Sequence, residues 1–230
     1  MAKRAGAKKT ARKSAPKRAA PKTSGTKPSG TKTGRASGGD SAASLRRALL
    51  DLVETQGWID LSFAEIAEQA GVPIAEAHRI YSSKTAILLA LTRSLDERVL
   101  NSLATDPLEG SAKDRLFDIV MRRFDLLKAD RNAYSRLMRQ LPATPNAFAA
   151  LLCQLRRSFS LTLETAGISA SGLKGALRLK GLLAIYVAGL RVFGNDESED
   201  LSKTMAEIDK RLGQAEKISE MLLRRRPEAA

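Results

Sequence analysis

One cysteine, Cys153, and one histidine, His78, are all the chain holds of the two residue types most metal and redox sites use. A single cysteine excludes an intramolecular disulfide and a paired-cysteine zinc site. A single histidine excludes paired-histidine metal motifs. Carboxylates are not clustered at a recognisable spacing, so no catalytic residues, cofactor or metal are expected. Six Phe, three Tyr and one Trp in 230 residues mean that the core must be mostly aliphatic. The longest strongly apolar stretch, between Lys180 and Arg191, is about half of what a bilayer span needs. The chain is therefore read as soluble and cytoplasmic.

Apolar residues are also missing from one end. Met1 to Ser44 contains no Leu, Ile, Val, Phe, Tyr or Trp, and residues 1–40 hold 12 basic residues against one acid, Asp40. Such a segment has nothing to bury against the entropy of ordering its backbone, so a disordered tail is expected over 1–40. Of the net charge of +14, eleven units belong to this tail. Three readings of it stay open: a sequence-independent tether to DNA phosphates through counterion release, a solubilising leader, or an organelle transit peptide. A secretory signal is not expected, because there is no apolar core segment for one.

After Ser44 the apolar period becomes three to four residues and stays there, which predicts an all-α body of about nine helices. Leu45, Ala48, Leu49, Leu52 and Val53 mark one helix face that Gly57 can end. Ser62 and Glu65 have the spacing of a capping box opening a second, short helix. Gly71 and Pro73 separate that helix from a third. Ser83–Lys84 opens a longer one, and further stripes follow to Gly167, to Phe193 and from Leu201 onward. Cys153 reads as a small core residue and His78 as a polar surface or packing residue beside any other role.

Residues 57–88, GWIDLSFAEIAEQAGVPIAEAHRIYSSKTAIL, resemble the DNA-binding segment of the TetR family of bacterial regulators. The matching positions are Gly57, Trp58, Ser62, Ile66, Ala67, Ala70, Gly71, Val72, Tyr81, Ser83 and Lys84. The resemblance implies a helix-turn-helix domain at 41–88 and an effector-binding and dimerisation domain at 89–226. It also implies DNA contacts from Ile74, Ala75, Glu76, His78, Arg79 and Lys84, with Ser62 at a phosphate. This chain departs from the family at the start of the reading helix, where Pro73-Ile74-Ala75-Glu76 replaces a polar or basic opening. Residues 41–100 carry 6 basic and 8 acidic groups, whereas a DNA-reading domain is usually basic. Both a base-reading helix and a retained helix-turn-helix that no longer reads DNA therefore stay open.

For the second half, the resemblance implies a small apolar effector and a homodimer. Phe117, Phe124, Tyr134, Met138, Phe148, Phe159 and Tyr186 are the candidate pocket residues, and Leu201, Met205, Ile208 and Leu212 the candidate dimer stripe. The stretch from Leu182 to Leu212 is also similar to the end of the lipid-binding protein of coenzyme Q biosynthesis, through Asp196, Ser198, Asp200, Thr204, Asp209, Arg211 and Leu212. The alternative function is thus a lipid- or isoprenoid-binding accessory protein of the same fold. A plainer account of the acidic turn is that Asp200 caps the last helix. The first reading places the protein on DNA, in the bacterial nucleoid.

Overall fold

A computed structural model describes residues 38–224, all of whose regular structure is helical. Its elements are α1 (Gly38–Thr55), α2 (Phe63–Gln69), α3 (Ile74–Ile80), α4 (Lys84–Thr105), α5 (Ala112–Leu127), α6 (Arg131–Gln140), α7 (Pro145–Thr165), α8 (Gly172–Phe193) and α9 (Ser202–Arg224). Two 3-10 turns, Lys128–Asp130 and Leu141–Ala143, flank α6. The all-α expectation holds. The predicted disordered tail lies outside the described residues up to 37, but its last three residues, 38–40, are helical. The apolar pattern starts at Leu45 and could not mark those first two turns or so; Ser41, a polar residue, is already buried there.

Helix ends follow local chemistry. Ser83 Oγ accepts from the Ala86 amide at the start of α4, and Ser111 forms a capping box with Asp114 at the start of α5. Along α4, Ile87, Leu88, Leu91, Leu95 and Val99 are buried, the stripe expected from their spacing. α1 packs against α2, α3, α4 and α6, while α8 packs mainly on α9. α8 meets its neighbours at Gly189. A Cβ there would lie 2.5 Å from Ile208 Cδ1 and 2.9 Å from Phe124 Cζ, so the missing side chain sets how closely α5, α8 and α9 approach.

The turn into α9 is built on Asp196. Its carboxylate is fully buried and accepts from the Ser198 amide (3.2 Å) and hydroxyl and from the Thr204 amide (2.8 Å) and hydroxyl (2.7 Å). Burial alone would raise this carboxyl, but the four donors outweigh it and hold the pKa at about 2. Asp200 accepts from the Ser202 amide at 3.2 Å, the helix-capping role expected of it. Leu201 between them has φ +55°, a left-handed conformation costly for a side chain with a Cβ, and is held there with its side chain fully buried.

Candidate nucleic-acid interface

The helix-turn-helix is fixed at three points. At the start of α2, Ser62 Oγ accepts from the Glu65 amide (3.2 Å) while Glu65 accepts from the Ser62 amide (2.7 Å). The Ser62 hydroxyl and amide hold the Glu65 carboxyl below its usual value. At the other end Gly71 adopts φ +65°, its amide donates to Glu68 O, and the Val72 amide donates to Ala67 O. Those two bonds close a Schellman turn that only a left-handed residue at Gly71 permits. Pro73 then opens α3, and its carbonyl accepts from the amides of Glu76 and Ala77.

α3 is seated by Ala77, which is fully buried against α1 and α2, and this leaves Ile74, Ala75, His78 and Arg79 together on the exposed side. The His78 ring meets the edge of Phe63 at 6.1 Å between centroids, so it packs as well as facing outward. Glu76 is not part of the outer face. Its carboxylate accepts from Ser41 Oγ of α1 at 2.9 Å, which draws it away from where it would repel phosphate. At the end of α3 the Tyr81 hydroxyl accepts from Arg46 Nη1 at 2.8 Å. Ser41 and Arg46 therefore fix the orientation of α3 from α1. Neither had a sequence signal, since each bond spans 35 residues of chain.

Lys84 is engaged within the protomer. Its ammonium donates to the carbonyls of Trp58 (2.8 Å), Ile59 (3.3 Å) and Leu61 (2.6 Å) and lies 4.8 Å from the Trp58 ring centroid. An ammonium has three hydrogens, and three acceptors meet them. Burial lowers its pKa, opposed by the charges of Asp60 and Glu65. In this geometry Lys84 clamps the loop that leads into α2. Ser62 is exposed at the other end of that loop.

A second set of bonds ties α1 and this loop to α6. Arg136 donates to the carbonyls of Glu54 (2.9 Å), Thr55 (3.0 Å) and Gln56 (3.0 Å), the open C-terminal carbonyls of α1 and the residue after it. Gln140 accepts from the Trp58 amide, and the Trp58 indole N–H donates to Thr144 Oγ1 at 2.9 Å.

No family model and no curated protein matches the chain. Solved structures do. A TetR transcriptional regulator from Nitrosomonas europaea matches with a TM-score of 0.61 at 19% identity, over 76% of this chain and 97% of its own. A putative TetR-family regulator from Syntrophomonas wolfei matches at 0.60 and 12% identity, over 78% and 96%. The fatty acid degradation regulator FadR of Bacillus halodurans matches at 0.55 and 17%, over 75% and 94%. The fold is that of the TetR regulators.

Within this TetR fold the expected effector residues do not line one pocket. Phe124, Phe159 and Tyr186 are core, with ring centroids 5.3 Å apart for Phe124–Tyr186 and 4.8 Å for Phe159–Tyr186. Phe117, Tyr134 and Phe148 pack half-buried against that core, and Met138 is half-buried on α6. Of the seven, only Phe159 borders the cleft between α4, α5 and α7, whose volume of about 20 Å³ is room for one water. Aromatic residues at helical spacing have filled the core ring on ring.

The dimer stripe is corrected too. Leu201, Ile208 and Leu212 are buried inside the protomer, where α9 lies on α8 and α5, and only Met205 is exposed. The most exposed apolar side chains of the last two helices are instead Leu173 (90% exposed) and Leu177 (63%) on α8 and Ile218 and Met221 on α9. Cys153 is exposed rather than core, because Leu151 and Leu155 take the inward positions of α7. Among the described residues no group of three or more His, Cys, Asp or Glu is placed to hold a metal ion, and no helix is long and apolar enough to cross a membrane.

Proposed function

We propose that this chain is a TetR-type DNA-binding regulator, active as a homodimer and released from DNA by an apolar effector. The observation that carries this reading is the outer face of α3. Ile74, Ala75, His78 and Arg79 stand together there, and the one acidic group of that helix is withdrawn onto Ser41. A short helix presenting its first turn outward is what enters a major groove. Arg79 is the one cation of residues 41–88 with no hydrogen bond or ion pair among the described residues. Arg46 is engaged by Tyr81, Arg47 by Asp51 and Asp130, and Lys84 by backbone carbonyls. On this reading Arg79 pairs with a base edge and Lys84 acts by positioning the loop before α2. The 12 cations of the segment before residue 38 supply the nonspecific phosphate affinity that the domain lacks. A second copy covers Leu173 and Leu177, which no monomer buries.

The test is selection from a random duplex pool by the intact protein and by its Arg79→Ala variant. A two-fold operator whose recovery is lost in the variant supports the regulator. If the intact protein enriches no sequence, the reading fails, and the lipid- or isoprenoid-binding accessory role of the same fold takes its place.

A further inference from the structure

Arg123 belongs to the middle of α5, and only 4% of it is exposed. Burying a guanidinium is costly unless its donors are met. Here Nε donates to the Tyr186 hydroxyl at 3.3 Å, and Nη1 donates to Ser158 Oγ at 3.1 Å and to the carboxylate of Asp96 on α4. The rings of Phe159 and Tyr186 each lie 5.6 Å from the guanidinium carbon. Nη2 has no hydrogen-bond partner among the described residues and is not sealed from solvent. Arg123 lines the small cleft, whose other walls include Val99, Leu100, Ile119, Val120 and Leu161, with Leu100 and Leu161 partly open to solvent. The site is thus a charged fork at the inner end of an apolar slot. A carboxylate from the protein itself already sits on that fork.

We propose that this cleft binds an apolar chain ending in a carboxylate, which takes the place of Asp96 on Arg123. The inference deepens the regulator reading by naming the effector class, and it rests on that reading only for what happens at DNA. A carboxylate matches the planar donors of a guanidinium, including the unused Nη2. A neutral chain would leave Asp96 on Arg123 and gain nothing from the fork, and a cation would be repelled by it. Asp96 has a way out, since its side chain is already 15% exposed. The space now present holds about one water, so the ligand must part α4 from α5 and α7 to enter. α4 also carries Lys84 at its first turn, so moving it disturbs the clamp on the loop before α2.

The experiment is calorimetric titration of the full-length protein, without DNA, with dodecanoate and with dodecanol, both below micelle-forming concentrations. The expected result is dodecanoate binding about tenfold or more tightly than dodecanol, as a hydrogen-bonded charge pair implies. Arg123→Gln should abolish the difference. Asp96→Asn removes the internal competitor and should tighten dodecanoate about tenfold, whereas a purely structural ion pair predicts weaker binding or none. Equal affinity for the two probes, no binding of dodecanoate, or weaker binding by a folded Asp96→Asn protein overturns the proposal. If Arg123→Gln does not fold, the wild-type comparison and Asp96→Asn decide alone. Dodecanoate binding by a protein that selects no DNA sequence keeps this site and removes the regulator. Sequence-selective DNA binding without carboxylate preference does the reverse.

Discussion

Two cations five residues apart, Arg79 and Lys84, look equivalent in the sequence and are not. Arg79 is exposed on the outer face of α3, and Lys84 is held by three carbonyls. Arg79→Ala is expected to weaken binding to the selected duplex by about 1–3 kcal/mol, with thermal stability unchanged. Lys84→Met is expected to lower the unfolding free energy by about 1.5–3 kcal/mol, as loss of a charged hydrogen-bond donor implies. Fluorescence anisotropy and denaturant unfolding of both variants separate the two roles; a stable Lys84→Met protein would refute the clamp. Asp196 gives a prediction in pH. Its carboxyl titrates at about 2 in the fold against 3.8 for an unperturbed aspartate, so between those values the unfolded chain binds more protons. Its contribution is complete above pH 5 or so and is lost as the pH falls toward 2. Asp196→Ala should therefore cost about 0.5–2 kcal/mol at neutral pH, the range for a lost helix cap, and progressively less in acid. An equal cost at pH 7 and pH 2.5 in urea unfolding would show that the hydrogen bonds are not to a carboxylate.

At the scale of elements, α6 is the piece that periodicity could not explain. Tyr134, Leu137, Met138 and Leu141 were readable as one more amphipathic stripe. Its function in the fold lies in Arg136 and Gln140, whose partners are about 80 residues away in the chain. The same division runs through the whole reading. The buried stripe of α4 and the Ser62–Glu65 box were legible because both are fixed within a turn or two of chain. The helix-turn-helix was legible because its glycine, caps and small residues sit at fixed offsets. Long-range polar bonds, the first turn of α1 and the Arg123 cluster were not, since nothing local distinguishes Ser41 or Ser158 from a surface serine. The stripe of α9 was seen correctly and given the wrong partner. Spacing shows that Ile208 and Leu212 face something apolar, not whether it belongs to the same protomer. For α6 itself, Arg136→Ala should speed hydrogen exchange in the last turn of α1 by about tenfold or more, as its three carbonyl caps are lost. Exchange in α9 should stay unchanged, and a uniform rise across all helices would instead mean global destabilisation.

For the whole molecule, charge and apolar surface are both distributed unevenly. The 12 cations before residue 38 precede a helix-turn-helix domain that is itself acidic. Shortening the chain to begin at residue 36 should reduce the slope of log K against log salt by about 0.9 for each phosphate contact removed. If half of those cations engage phosphate, the change is about five, well within measurement by titration at several salt concentrations. An unchanged slope would assign that segment to another task. On the proposed dimer reading, the uncovered leucines of α8 are the subunit contact. Leu173→Glu with Leu177→Glu should convert a dimer to a monomer in light scattering while the helical circular dichroism is kept. Ile208→Asp, by contrast, puts a charge into the protomer core and should unfold the chain rather than dissociate it. A monomeric wild type at micromolar concentration would remove the dimer.

Trp58 gives the molecule a built-in optical gauge. The chain's one tryptophan is fully buried at the seam where the loop before α2, the start of α4 and the turn after α6 converge. Its indole is bonded to Thr144 on one side and faces the Lys84 ammonium on another. Any tilt of the helix-turn-helix against the rest of the protein stretches that bond or shifts that charge, and either event moves the emission of a single, unlabelled fluorophore. The proposed coupling between the Arg123 cleft and the helix-turn-helix can thus be tested in real time by stopped-flow mixing, without attaching a dye.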